Sequence, residues 1–135
     1  MGWYLPCKVD GKVDLAYDVN GEVNVVDWKS GNHDGAGDDS LQLAAYALWA
    51  KSKYECSTDQ LNVFKAFLGS GDVVEFPIDE ALLDSARVRI IQDAETMIEL
   101  SRYGEAGTVE AFTPCEHVGI CGLCSYRQVC HEGGK

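Results

Sequence analysis

Alternating apolar and polar residues near the start of the chain predict β-structure. Asp-Gly and Asn-Gly pairs between such segments are typical of tight hairpin turns. We therefore expect a three-stranded antiparallel meander, with strands at Trp3–Val9, Lys12–Val19 and Glu22–Asp27 and turns at Asp10–Gly11 and Asn20–Gly21.

The pattern then changes to the spacing of a helix. Ser30–Asp39 is polar and rich in glycine, which predicts a mobile loop. A helix is predicted over Ser40–Tyr54, with Asp39 or Ser40 as its N-cap. The apolar positions that define this helix are Leu41, Ala44, Ala45, Leu48 and Trp49.

A second pair of strands and a longer helix follow. The strands are predicted at Leu61–Leu68 and Val73–Ile78, with a turn around Ser70–Gly71. Asp79 is expected to cap a helix that reaches about Arg102. The apolar line of this helix includes Leu83, Ala86, Ile90, Ala94, Met97 and Ile98.

The order of these elements predicts one domain of the α/β or α+β class. From Gly104 onward the chain is irregular and rich in glycine and cysteine. A length of 135 residues leaves no room for a second independent core. We expect residues 1–110 to form the core and residues 111–135 to form a cysteine-rich tail packed against it.

Composition excludes several classes of protein. Apolar residues make up 46% of the chain, which is too many for a disordered acidic tail. No apolar run approaches the ~18 residues that a membrane span needs. Lys8 and Asp10 interrupt the segment where a signal peptide would be apolar. We therefore expect a cytoplasmic protein that is neither secreted nor membrane-bound.

The net charge of −11, from 22 acidic and 11 basic side chains, bears on possible partners. Phosphate groups are contacted mainly by Lys and Arg, so the acidic balance argues against strong binding of nucleic acid. The excess charge can simply serve solubility. Alternatively, some carboxylates bind cations that reverse the local sign of the charge.

Two carboxylates and a lysine are expected to meet on one patch of the predicted sheet. A turn at Asn20–Gly21 makes Asp14 and Asp27 cross-strand neighbours. Asp27 and Lys29 are two residues apart and therefore share a strand face. Such a patch suits hydrolysis of a phosphodiester by a divalent cation. The alternative is that these side chains form an ordinary solvated face.

The motifs around these residues resemble the PD-(D/E)xK nuclease superfamily, and specifically its RecB-like exonuclease branch. The resemblance rests on Gly-Lys-Val-Asp at 11–14, Val-Val-Asp-Trp-Lys-Ser-Gly at 25–31 and Gln-Leu-Ala-Ala-Tyr at 42–46. It implies a restriction-endonuclease-like mixed sheet flanked by helices. It also implies hydrolysis of DNA, as single strands or duplex ends, in a prokaryotic or phage-infected host cell. A helicase or another nuclease-complex subunit would be the partner, and the role would lie in repair or recombination.

The resemblance implies a role for each motif residue. Asp14 and Asp27 would bind Mg²⁺ or Mn²⁺, together with the backbone carbonyl of Trp28. Lys29 would be the catalytic lysine. Gln42 and Tyr46 would line the site and either contact the DNA or brace the lysine.

The N-terminal part of the family fold is missing from this pattern. Members of the branch usually supply a Glu or His from a helical segment before the first strand, and no Glu or His precedes Asp14. Three explanations are open: the chain is a fragment of a longer protein, it binds metal with a reduced set of ligands, or it has lost activity. His33 is a geometrically possible substitute.

A cluster of cysteines near the end of the chain predicts a metal site. Cysteines separated by two and then five intervening residues, as in C-x₂-C-x₅-C, can hold zinc or an iron–sulfur cluster. Resemblance to AddB-like and CRISPR-associated relatives implies a four-iron (4Fe-4S) cluster, with zinc as the alternative. The ligands would be Cys121, Cys124, Cys130 and Cys115, with Cys7 as the alternative fourth ligand and with His117 and His131 available to zinc.

Three functions follow from these motifs. The first is a metal-dependent DNA exonuclease or nuclease with a structural iron–sulfur cluster. The second is a catalytically weak nuclease-fold module that binds DNA or a protein partner. The third is a zinc-stabilised interaction domain. The basic residues, among them Lys51, Lys53 and Lys65, are scattered and form no run. Together with the acidic excess, this predicts only weak, metal-dependent affinity of this chain for DNA.

Overall fold

The computed structural model describes residues 8–32, 38–102 and 123–125. The chain divides into two compact units, Met1–Gln92 and Asp93–Lys135. The described strands are β1 (Leu15–Val19), β2 (Glu22–Lys29), β3 (Leu61–Phe67) and β4 (Val73–Phe76), and the described α-helices are α1 (Ser40–Tyr54) and α2 (Glu80–Arg102).

The four strands form one mixed sheet in the order β1-β2-β3-β4. β1 and β2 are antiparallel, β2 and β3 are parallel, and β3 and β4 are antiparallel. A parallel pair needs a long crossover connection, and α1 provides it between β2 and β3. The predicted α+β class, with a mixed sheet flanked by helices, is therefore confirmed.

Both hairpins turn where glycine allows a positive φ. Asn20 and Gly21 have φ values of 55° and 85°, which suits the primed turn expected between β1 and β2. Gly71, between β3 and β4, has a φ of 78°, and its N–H donates to the Phe67 carbonyl at 2.7 Å. The predicted turns at Asn20–Gly21 and around Ser70–Gly71 are thus confirmed.

The sequence prediction is wrong in part near the start of the described chain. The strand expected over Lys12–Val19 begins only at Leu15. Residues 8–14 are irregular, so the described residues form no hairpin at Asp10–Gly11. Most of the strand expected at Trp3–Val9 lies outside the described residues. Besides β1, β2 pairs with the parallel strand β3, which the predicted meander did not include.

The core lies between β2 and β3 and the two helices. On α1 the buried positions are Leu43, Ala44, Ala47 and Ala50, whereas Leu41 and Trp49 of the predicted apolar line are exposed. Alanine side chains let a helix approach a sheet closely, so the helix is rotated from the orientation that its larger residues suggested. The core cluster consists of Val23, Val25, Leu61, Val63, Leu83 and Ala86 together with these four α1 residues.

Helix α2 begins as predicted, because Asp79 Oδ1 accepts a hydrogen bond of 2.7 Å from the Leu82 N–H. On its predicted apolar line, Leu83, Ala86 and Ala94 are buried, but Met97 is 70% exposed.

The predicted boundary between a core at 1–110 and a tail at 111–135 stays a prediction. No helix in the described ranges combines the length and apolarity that crossing a membrane requires.

Candidate active site

Charged side chains occupy the end of β2, on the face that carries the core. Val23, Val25 and Asp27 alternate along the strand, so their side chains share one face. Asp27 is only 3% exposed. Lys29 continues the same face, and its Nζ lies 2.7 Å from Asp27 Oδ2. The sheet therefore holds a shielded ion pair where its apolar residues end.

Asp39 contacts the same ammonium group from α1. It occupies the N-cap position of the helix, as predicted, but its side chain makes no capping hydrogen bond. Its Oδ2 lies 2.9 Å from Lys29 Nζ, and its Oδ1 accepts a hydrogen bond of 3.1 Å from Lys65 Nζ. Lys65 lies on β3, directly beside Asp27 in the parallel register. One carboxylate thus joins two lysines from neighbouring strands.

Burial and ion pairing have opposite effects on this cluster. Burial of the Lys29 ammonium acts to lower its pKa, but the contacts with Asp27 and Asp39 outweigh it, so the pKa of Lys29 is raised above its ordinary value. Desolvation acts to raise the pKa of Asp39, yet hydrogen bonds from Lys29 and Lys65 hold it below its usual range. At neutral pH Lys29 is therefore an ammonium and Asp39 a carboxylate.

Gln42 and Tyr46 connect Lys29 to the segment before β1. Lys29 Nζ donates to Gln42 Oε1 at 3.3 Å, and Gln42 Nε2 donates to Tyr46 Oη at 2.7 Å. Tyr46 Oη in turn donates to the Lys12 carbonyl at 3.0 Å. Residues four apart on a helix are neighbours, so one face of α1 supplies both side chains. They form a hydrogen-bonded path that ends on the lysine.

Asp14 and Trp28 lie where β1 begins beside the end of β2. Asp14 is exposed, and its Oδ2 accepts a hydrogen bond of 2.9 Å from the Trp28 N–H. The N–H and C=O of one strand residue point to the same side. The Trp28 carbonyl therefore faces the side of Asp14, beyond the last β1–β2 pair, which is Leu15 with Val26.

The end of β2 is fixed by the turn that follows β3. The Leu68 N–H donates to the Lys29 carbonyl at 2.8 Å, and the Gly69 N–H donates to the Gly31 carbonyl at 3.2 Å. A Cβ atom at Gly69 would lie 2.9 Å from the Gly31 oxygen, which is closer than packing allows. Glycine at position 69 therefore permits the close approach that holds the backbone of Lys29.

The oxygen atoms of Asp27, Asp14 and Trp28 are of the chemical type that a hard divalent cation binds. Asp27 Oδ2 is buried, and although Lys29 Nζ is near it, no described residue donates a well-aligned hydrogen bond to it. Mg²⁺ and Mn²⁺ prefer carboxylate and carbonyl oxygens, which Asp27, Asp14 and Trp28 supply. Within the described ranges no three or more His, Cys, Asp or Glu residues converge on one metal position.

The model of the PD-(D/E)XK nuclease superfamily matches residues 2–131 of this chain. The chain belongs to the PD-(D/E)XK nuclease superfamily. A comparison with curated proteins gives no match. Superfamily members are generally nucleases, act on DNA and typically use Mg²⁺ or Mn²⁺. The mixed sheet agrees with their restriction-endonuclease-like fold, and the predicted superfamily resemblance is confirmed.

The cysteine site expected in this PD-(D/E)XK chain falls mostly outside the described residues. Cys124 is described and is a free, exposed cysteine, and Cys56 is the other free cysteine in the described ranges. The remaining predicted ligands and the three histidines considered as substitutes lie outside those ranges: Cys7, Cys115, Cys121, Cys130, His33, His117 and His131.

The structure adds Asp39, Lys65 and Gly69 to the residues expected from the PD-(D/E)XK motifs. Asp39 was expected only as a helix cap, and Lys65 only as one of several scattered basic residues. A signal for Lys65 was present in the sequence, because it interrupts the apolar series Leu61, Val63 and Phe67. Asp27 and Lys29 interrupt the matching series on β2. Nothing in the sequence pattern indicated Gly69.

Proposed function

We propose that this protein is a divalent-metal-dependent deoxyribonuclease that hydrolyses phosphodiester bonds, and that it acts as an exonuclease of the RecB-like branch. The main support for this proposal is the buried Asp27 carboxylate beside the Lys29 ammonium, at the end of a strand whose other inward residues are apolar. Burying such a pair is costly. Because the pair costs stability, a function that uses it explains its presence better than a purely structural role does.

Asp27, Asp14 and the Trp28 carbonyl would hold the cation. The Trp28 N–H fixes one oxygen of Asp14 and leaves the other available. A bound divalent cation supplies Lewis-acid chemistry, which makes water a better nucleophile at neutral pH and offsets charge on the phosphoryl oxygens. The chain itself contributes the oxygen donors, of which the Asp27 carboxylate is buried and the Asp14 carboxylate is exposed.

Lys29 would donate hydrogen bonds to the phosphoryl oxygens on which negative charge develops. A positively charged donor that is already oriented stabilises such charge without reorganisation during the reaction. Gln42 accepts from Lys29 and is itself oriented by Tyr46, so these two residues would brace the lysine. Their position supports bracing rather than direct hydrolytic chemistry.

Cleavage of linear DNA by the purified protein tests this proposal. We expect cleavage with Mg²⁺ or Mn²⁺, no cleavage with EDTA, and a loss of about a thousandfold in Lys29→Ala. Lys8→Ala is the matched control, because Lys8 is an exposed lysine whose ion pair in the described residues is with the exposed Asp10. A wild-type protein that leaves DNA intact with both metals would reject the proposal.

A catalytically weak module that binds DNA or a protein partner is the second candidate. It is favoured by the small donor set, because in the described ranges no three His, Cys, Asp or Glu side chains converge on one metal position. Metal-stimulated retention of DNA without cleavage would support this candidate. A helicase or other nuclease-complex subunit is the partner that we propose in either case.

We also propose that the cysteine segment holds a structural iron–sulfur cluster, with zinc as the alternative metal. The support is the C-x₂-C-x₅-C spacing at 121–130, together with Cys115 upstream. We expect a brown anaerobic preparation that contains iron and acid-labile sulfide. A colourless preparation containing zinc would instead favour the zinc site, and Cys124→Ser should release the metal in either case.

A further inference from the structure

We propose that Asp39 is the positioning residue of this site: it holds the Lys29 ammonium against Asp27 and is itself fixed by Lys65. The kinetic consequence of this inference rests on the proposed nuclease function. Neither the motifs nor the family match assigns a role to Asp39 or Lys65. The proposal follows from how the two carboxylate oxygens of Asp39 are shared.

Each oxygen of Asp39 contacts a different lysine. Oδ2 lies 2.9 Å from Lys29 Nζ, and Oδ1 lies 3.1 Å from Lys65 Nζ. The side chains of Asp39 and Lys65 are each only 16% exposed. Partial burial reduces solvent screening, so these pairs are stronger than exposed ones. The carboxylate is thus held at both ends, which fixes the position of the oxygen that faces Lys29.

Lys65 is itself held in place by its surroundings. It stands beside Asp27 in the β2–β3 register and therefore shares the face of Asp27 and Lys29. Its Nζ lies 5.8 Å from the centroid of the Phe76 ring, within the range of a cation–π contact. A lysine with an aromatic ring and a carboxylate as neighbours has few alternative rotamers, so it suits a supporting role.

The first turn of α1 contacts the Lys29 ammonium through two residues. Asp39 and Gln42 are three positions apart and are neighbours at the start of the helix. Both contact Lys29 Nζ, whereas Asp27 contacts it from β2. The N-terminus of α1 therefore determines the direction of the ammonium. Gln42 supplies a neutral acceptor and Asp39 supplies the charge.

A kinetic experiment separates positioning from general stabilisation. In Asp39→Asn we expect kcat for DNA cleavage to fall by about tenfold to a hundredfold, with KM for DNA changed less than about twofold, because a charge-assisted contact is lost. Asp39→Glu should recover part of kcat. Asp38→Asn is the matched control: its carboxylate accepts the Ser40 N–H and contacts neither lysine directly.

A double variant tests whether Asp39 acts through Lys29. If it does, adding Asp39→Asn to Lys29→Ala should change the residual rate by less than about twofold, since the group that it positions is absent. An equal loss of kcat in both backgrounds would overturn the proposal. Equal effects of Asp39→Asn and Asp38→Asn in the wild-type background would also overturn it.

A spectroscopic readout keeps the inference separate from nuclease activity. The chain has seven lysines, so ¹⁵N-lysine labelling gives a small set of side-chain Nζ resonances, and Lys29→Arg and Lys65→Arg assign the two of interest. We expect Asp39→Asn to shift both resonances by clearly more than Asp38→Asn does, while that of Lys8 stays unchanged. Unshifted resonances would overturn the positioning role. If wild-type protein cleaves no DNA, the proposed function fails. The resonances still test whether Asp39 contacts the ammonium groups of Lys29 and Lys65.

Discussion

Strand β2 presents two kinds of environment on one face. Its first half places Val23 and Val25 in a core of aliphatic side chains from β3 and α1. Its last residues place Asp27 and Lys29 in a cluster that includes Asp39 and Lys65. The change occurs within two residues of one strand. Apolar packing thus provides the stability, and the adjoining strand end carries charges that cost stability and permit chemistry.

The two partners of the buried ion pair should respond differently to mutation. We expect Asp27→Asn to lower DNA cleavage by about a thousandfold while changing the free energy of unfolding by less than about 1 kcal/mol. The reason is that Lys29 keeps Asp39 as a partner and remains 26% exposed. Cleavage assays and urea denaturation measure the two quantities. Asp10→Asn, at an exposed ion pair, is the control.

The reverse variant sharpens this comparison. Lys29→Ala should reduce cleavage as strongly, but it should also lower the free energy of unfolding by about 3–5 kcal/mol, because Asp27 is left buried without a cation. Equal stability of the two variants would contradict the predicted difference between the partners of the ion pair.

Truncation in the apolar half should affect stability alone. Leu43 is fully buried in the core cluster, so Leu43→Ala is expected to lower the free energy of unfolding by about 2–5 kcal/mol. The kcat of the folded fraction should change little. Leu41→Ala, at an exposed position of the same helix, should cost less than about 1 kcal/mol. If both substitutions cost the same, the described rotation of α1 is incorrect.

The turn after β3 offers a way to disturb the charged half through the backbone. Gly69→Ala would place a methyl group against the Gly31 carbonyl, and we expect a loss of about 1–3 kcal/mol in the free energy of unfolding. Because this turn also binds the Lys29 carbonyl, cleavage should fall as well. Gly11→Ala has open space at its Cβ and serves as the control. Unchanged cleavage in Gly69→Ala would show that the turn after β3 does not influence the candidate active site.

The smallest expected effect comes from the far end of the hydrogen-bonded path. Tyr46→Phe removes a hydroxyl that accepts from Gln42 and donates to the Lys12 carbonyl. We expect cleavage to fall by up to about tenfold and stability by about 0.5–1.5 kcal/mol. Tyr17→Phe, on the exposed face of β1, is the matched control. An undiminished rate in Tyr46→Phe would show that bracing through Gln42 is not needed.

Local sequence signals predicted most of the elements correctly. Helix α1 has its expected bounds, α2 begins after Asp79, and glycine marks both hairpin turns. These features depend on contacts between residues close in the chain, such as caps and turns. An exception is the start of β1. The alternation of apolar and polar residues predicted a strand from Lys12, but pairing with β2 begins only at Leu15.

The sequence by itself was enough to identify the motif residues Asp14, Asp27, Lys29, Gln42 and Tyr46. Their spacing along the chain can be recognised without knowledge of the fold. Only the tertiary structure decided that Asp39 and Lys65 complete the cluster. Their pairing depends on β2 and β3 being parallel neighbours and on the rotation of α1 against them. Both arise from packing between residues distant in sequence, and hydrophobic periodicity along one segment carries no information about such packing.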